Sequence, residues 1–184
     1  MARGPLAGII MGSSSDGAVM RGAAGVLDEL GVPHEDMIIS AHRTPDRIGW
    51  YARHAEEAGI RVVVAGAGGS AHLPGMVASH TVLPVVGVPI ARGGAGSGPR
   101  GAPPSLGSSL GGLDALLSMS EMPTGTPVAV VGPNRAANAG LLAARIIALG
   151  SPQLQKRLAA RAGAARARVE KESARLARTG LRGS

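Results

Sequence analysis

Five short apolar runs, at residues 6–11, 37–39, 62–65, 85–88 and 128–131, alternate with stretches of helical periodicity. A run of that length that is apolar throughout reads as a strand buried on both faces of a parallel sheet. Between the first two, Val19, Met20, Ala23, Val26, Leu27 and Leu30 recur at helical spacing, and Gly31 with Pro33 closes that helix. Thr44 reads as an N-cap with Pro45 at the first helical position, opening a helix to about Ala58. Short helices are predicted over 74–79 and 113–119, a longer one over 138–149, and a last one from Ser151-Pro152 to about Arg178. Strand and helix alternate throughout, which predicts an α/β fold: a three-layer, doubly wound parallel sheet of about five strands with right-handed crossovers and a long C-terminal helix.

This pattern divides the chain into a single α/β domain over 1–150 and a C-terminal basic helix and tail over 151–184. In that helix Leu154, Leu158, Ala165, Val169 and Leu176 form a narrow stripe spaced 4, 7, 4, 7, a seam suited to packing on a neighbouring subunit or on the body. One stretch breaks the rhythm. Thirteen of the nineteen residues from Ala91 to Ser109 are Gly, Pro or Ser, too little apolar surface to repay ordering, so a flexible insertion or lid is expected there.

Composition narrows the reading. With no Phe and only Trp50 and Tyr51 as aromatics, the core must be built from Val, Ile, Leu, Met and Ala, which makes further burial at subunit contacts attractive. The absence of cysteine excludes disulfides, thiolate metal sites and a Cys nucleophile. No signal peptide and no run of about 20 apolar residues is visible, so a cytoplasmic protein without a membrane span is expected. The net charge of +7 is uneven: residues 1–150 hold ten Arg against ten acidic residues, whereas 151–184 hold nine Lys or Arg against Glu170 and Glu172. A basic tail with no aromatic interleaving and no recognition motif reads as a solvated helix face, which argues against a nucleic-acid partner.

Three loops, each following a strand-like run, carry candidate chemistry. In Gly12-Ser13-Ser14-Ser15-Asp16, glycine admits close approach, the free N–H groups of the following helix start attract an anion, and the Ser hydroxyls add donors. Asp16 suits a sugar hydroxyl; the alternative is that Ser15 or Asp16 merely caps the helix. This loop lacks the Lys of a Walker A motif and the Gly-x-Gly-x-x-Gly of a dinucleotide fingerprint. In Ser40-Ala41-His42-Arg43-Thr44-Pro45-Asp46, Arg43 offers fixed charge for phosphate or carboxylate, and His42 can exchange a proton near neutrality. The small residues of Gly66-Ala67-Gly68-Gly69-Ser70-Ala71-His72-Leu73-Pro74-Gly75 free backbone groups to contact a planar polar ligand, with His72 as a second ring. His34, His54 and His80 read as structural or exposed, no metal-ligand spacing is present, and no Gly-x-Ser-x-Gly elbow occurs.

These three loops, together with Met122-Pro123 and Ala136-Ala137-Asn138-Ala139, closely resemble the 5-(carboxyamino)imidazole ribonucleotide mutase family of purine biosynthesis, over about residues 6–160. The resemblance implies a flavodoxin-like fold, a homo-octamer, and an isomerase that moves a carboxylate from the exocyclic nitrogen of a phosphoribosyl aminoimidazole to its C4 carbon with no cofactor and no metal. His-Leu-Pro-Gly at 72–75 looks like the bacterial mutase branch. By similarity His42 is the acid/base, Ser13, Ser40 and Arg43 are phosphate ligands, and Asp16 matches the ribose position, with Ser15 and Ala41 in the same loops. Gly68, Ser70, Ala71, His72 and Leu73 match the loop around the base and carboxylate. The chain departs from the pattern in three places: the insertion after Gly87-Val88-Pro89, Glu121 where a Gln is usual, and a short connection over 131–135. The altered loops leave open a paralogue carboxylating or decarboxylating another heteroaromatic nucleotide, and the fold alone would also allow a non-catalytic nucleotide-binding protein.

Overall fold

The structure, a computed structural model, describes residues 4–91 and 111–181. The Gly/Pro/Ser insertion, Ala91 apart, therefore lies outside the described residues. Two compact units result, one up to Ile147 and one from Ala148 onward.

The first unit is a parallel sheet in the order β2-β1-β3-β4-β5, formed by β1 (Ala7–Met11), β2 (His34–Ile38), β3 (Val62–Gly68), β4 (Val85–Ile90) and β5 (Ala129–Val130). This is the flavodoxin-like order, in which the chain crosses to one side of β1 and then to the other. Helices α1 (Gly17–Glu29) and α5 (Ala136–Ala148) pack together on one face, where a Cβ on Gly140 would meet the Ala23 carbonyl oxygen at 2.7 Å. Helices α2 (Asp46–Glu57), α3 (His72–Ala78) and α4 (Leu113–Ser120) cover the other. The second unit carries α6 (Pro152–Thr179), capped by Ser151, whose hydroxyl accepts from the Leu154 N–H at 3.3 Å. Arg166–Glu170 and Arg168–Glu172 pairs, both at 2.8 Å, line its exposed surface. Among the described residues no helix is long and apolar enough to cross a membrane.

Two strand boundaries differ most from the pattern. Strand β2 begins at His34, ahead of its apolar end, because at the sheet edge it pairs only with β1 and tolerates His34, Glu35 and Asp36. Strand β3 runs on through Gly66, Ala67 and Gly68, since the ladder with β1 continues to Gly66 and the ladder with β4 continues to Gly68. At Gly66 an added Cβ would collide with the Met20 side chain of α1, which would have to shift.

Val, Ile, Leu, Met and Ala do build the core, with one exception. Tyr51 of α2 is fully buried, its hydroxyl over Gly8 of β1, with no hydrogen-bond partner among the described residues. Burial raises its phenol well above the ordinary value, and the Glu35 carboxylate and, after it, Asp36 push the same way. A folded-state value raised above the unfolded one leaves this contribution intact below about pH 10 and removes it as pH climbs through the folded value. Tyr51→Phe should therefore abolish roughly 1 kcal/mol of the stability that the protein loses between about pH 9 and pH 11, measured by denaturant unfolding of both proteins at each pH.

Candidate active site

The sheet register fixes where the three loops start. Met11 at the end of β1 pairs with Ile38 of β2 and with Gly66 of β3, so the chains leaving these strands emerge side by side at the C-terminal edge. In parallel sheets this switch point is where ligands bind.

After β1, Ser13 adopts extended backbone and caps a single 3-10 turn, Ser14–Asp16, that leads into α1. Its hydroxyl oxygen accepts from the Ser15 N–H at 3.3 Å and lies 3.0 Å from the Ser15 hydroxyl oxygen. Asp16, 2% exposed, is the buried charged side chain of the described core, and Ser15 donates to it at 3.5 Å. A carboxylate kept so far from water is suited to accept from hydroxyl groups rather than to meet a phosphate.

After β2, the loop folds around Ser40. Its N–H donates to the Thr44 hydroxyl at 3.0 Å, and that hydroxyl donates back to the Ser40 carbonyl at 3.1 Å. Thr44 is thus spent inside the loop and does not cap α2, whose N-cap position is held by Pro45 without a side-chain bond. The expected cap is corrected accordingly. The Ser40 hydroxyl oxygen accepts from the Arg43 N–H at 3.3 Å and from Arg43 Nε at 3.1 Å, while Arg43 Nη2 donates to the Gly12 carbonyl at 3.0 Å. One guanidinium therefore ties the second loop to the first, and its Nη1 has no partner among the described residues. That arrangement presents an oriented cation to an anion.

After β3, Gly69 and Ala71 both take left-handed backbone, with φ +64° and +49°. For alanine this conformation costs about 1–2 kcal/mol. The turn ends with His72 as the first residue of α3, and its Nδ1 lies 2.9 Å from Nε2 of His42. The two rings meet edge to face, centroids 5.0 Å apart. A bond between two imidazole nitrogens needs one donor and one acceptor, so at least one ring is neutral while it persists.

A cleft of about 390 Å³ opens between these loops. His42, Arg43, Ser13, Ser15 and Asp16 line it, as do Ser40 and Ala41, and Gly68, Ala71, His72 and Leu73 close its third side. Ser70 does not line it: the residue is exposed, and its carbonyl accepts from the Ser118 hydroxyl of α4. Gly12 and Ala67 line the cleft too and were absent from the expected set. Both are small residues at strand ends, where backbone rather than side chain meets the cleft. His34, His54 and His80 are engaged elsewhere, with Asp28 and Asp36, with Glu35, and with Ser79 and the Met76 carbonyl.

The sequence model of AIR carboxylase matches residues 6–168. The chain belongs to the AIR carboxylase family. It is 49% identical to an N5-carboxyaminoimidazole ribonucleotide mutase of Pyrococcus horikoshii over 96% of this chain and 91% of that protein. A mutase of the same name from Thermotoga maritima is 51% identical over 84% of this chain and 81% of its own length. Among solved structures, Treponema denticola PurE superposes with a TM-score of 0.78 at 27% identity, covering 94% of this chain and 98% of that one. The flavodoxin-like architecture is thus shared with the family.

Arg43→Ala should weaken binding of inorganic phosphate at least tenfold, the effect of losing a charge-assisted contact of about 1.5–3 kcal/mol. Amide shift perturbations of Ser13 and Ser15 during a phosphate titration measure it.

Proposed function

We propose that this protein is an N5-carboxyaminoimidazole ribonucleotide mutase, an isomerase of purine biosynthesis, in which His42 is the single acid/base and the three loops hold the nucleotide. The observation that supports it most is the arrangement of His42 beside an oriented Arg43, at a cleft flanked by Ser hydroxyls and a buried carboxylate. The nucleotide phosphate sits against Ser13, Ser40 and Arg43, and the ribose hydroxyls donate to Asp16. The imidazole and its carboxylate lie against Gly68, Ala71, His72 and Leu73, with the exposed Ser70 behind that turn.

The chemistry then follows from one borrowed proton. The N5–carboxyl bond breaks and releases carbon dioxide; its electron pair stays on N5, which takes a proton from the His42 imidazolium. The electron-rich C4 next attacks the carbon dioxide, forming the new carbon–carbon bond. Neutral His42 removes the hydrogen from C4, restores aromaticity and regains the starting imidazolium. The proton given in the first half is recovered in the second, so no other acid and no energy source is required. Success depends on retaining carbon dioxide in the cleft between the two steps, a proximity effect that closed loops provide.

The active protein is a homo-octamer of the cytoplasm on this reading. Ile38, Trp50, Val82, Leu113 and Leu117 expose apolar surface on the α/β unit, and of the α6 stripe Leu154 is buried while Val169 and Leu176 are exposed and supply a further contact for a neighbouring subunit.

His42→Asn should lower kcat for conversion of N5-carboxyaminoimidazole ribonucleotide by about 10²–10⁴, with KM changed only a few-fold. Product formation without ATP or added metal, followed for both proteins, measures it; turnover by the folded variant at the wild-type rate removes His42 from the reaction.

A further inference from the structure

We infer that Ser118, outside the cleft, is a positioning residue for the His42–His72 pair. It acts by locking the Ser70–Ala71 peptide plane. The inference rests on the acid/base reading of His42.

The peptide unit between Ser70 and Ala71 is held at both of its polar ends. Its N–H donates to the Gly68 carbonyl at 3.3 Å, and its carbonyl accepts from the Ser118 hydroxyl at 2.5 Å. Rotation of this plane sets φ of Ala71, the one alanine among the described residues held at positive φ. An alanine at +49° gains by escaping to the negative region, and turning over the plane before it is the direct way out. The N–H bond, at 3.3 Å, is the weaker of the two restraints. The short bond from Ser118 therefore opposes the flip most strongly.

The consequence reaches the chemistry within one residue. His72 follows Ala71 directly as the first residue of α3, so the plane's orientation decides where its Nδ1 lies relative to His42. The helix that carries Ser118 is itself well seated. Met119 is buried against Gly87 of β4, and just beyond the helix Met122 fills the notch at Gly75 of α3, where a Cβ would meet its sulfur at 2.5 Å. Helix α4 thus braces α3 by packing and the turn before it by one hydroxyl. Sequence spacing gave no sign of this, because Ser118 lies 48 residues from its partner.

The test uses the full-length protein and two readouts. In Ser118→Ala, kcat should fall about tenfold with KM within about twofold, the effect expected for loss of one well-formed bond, and the pH dependence of kcat should shift. Ser118→Thr, which keeps the hydroxyl, should restore both. Independently of turnover, the imidazole nitrogen resonances of His42 and His72 should lose the signature of a shared hydrogen in Ser118→Ala and keep it in Ser118→Thr. Should the Ala variant not fold, Ser118→Cys, with a weaker donor of similar size, should show the same loss. Unchanged imidazole resonances and an unchanged pH profile in a folded Ala or Cys variant overturn the inference. Absence of wild-type turnover counts against the mutase reading alone, since the resonances still judge the role of Ser118.

Discussion

The ladder that β1 forms with two neighbours at once underlies everything the cleft does. Met11 is paired with Ile38 on one side and Gly66 on the other, so three consecutive crossings of the sheet end in one row. Register in a parallel sheet with both faces covered is stiff, because a slip by one residue would turn each strand's core side chains to the wrong face. That stiffness passes to the loops. Arg43 reaches the Gly12 carbonyl, and His42 reaches His72, only because the strands beneath them are aligned.

Within this frame the loops divide the work by chemistry. The first provides hydroxyls and one buried carboxylate, the second a cation and an imidazole, the third backbone freedom and a second imidazole. Each is tied to another element by a side chain: Arg43 spans the first two loops, the histidines span the second and third, and Ser118 fastens the third to α4. Precision of this kind matters for the proposed reaction, whose intermediate is a small neutral molecule, since carbon dioxide offers little for the protein to grip. Confinement has to come from geometry.

Much of this was legible in the sequence, and the exceptions have physical causes. Continuous apolar runs marked the central strands because both faces are covered, while β2 read short because an edge strand admits polar residues at His34, Glu35 and Asp36. Most of the cleft lining was legible because it clusters at strand ends in residue types suited to anions and proton transfer, whereas Gly12 and Ala67, which carry no such side chain, were not, and Ser70 lies outside it. Thr44 was misassigned as a cap because local spacing cannot show that its hydroxyl is occupied by Ser40. The contact between His42 and His72, the tether from Arg43 to Gly12 and the bond from Ser118 are long-range facts, fixed by folding and invisible in local pattern.

The central claim is that the carboxyl carbon passes from N5 to C4 without leaving the cleft. The most direct measurement supplies N5-carboxyaminoimidazole ribonucleotide carrying carbon-13 in its carboxylate, in buffer rich in unlabelled carbon dioxide, and reads the label in the C4-carboxylated product at early times. Retention of the label is the predicted result; product carrying the unlabelled carbon of the buffer would contradict the account.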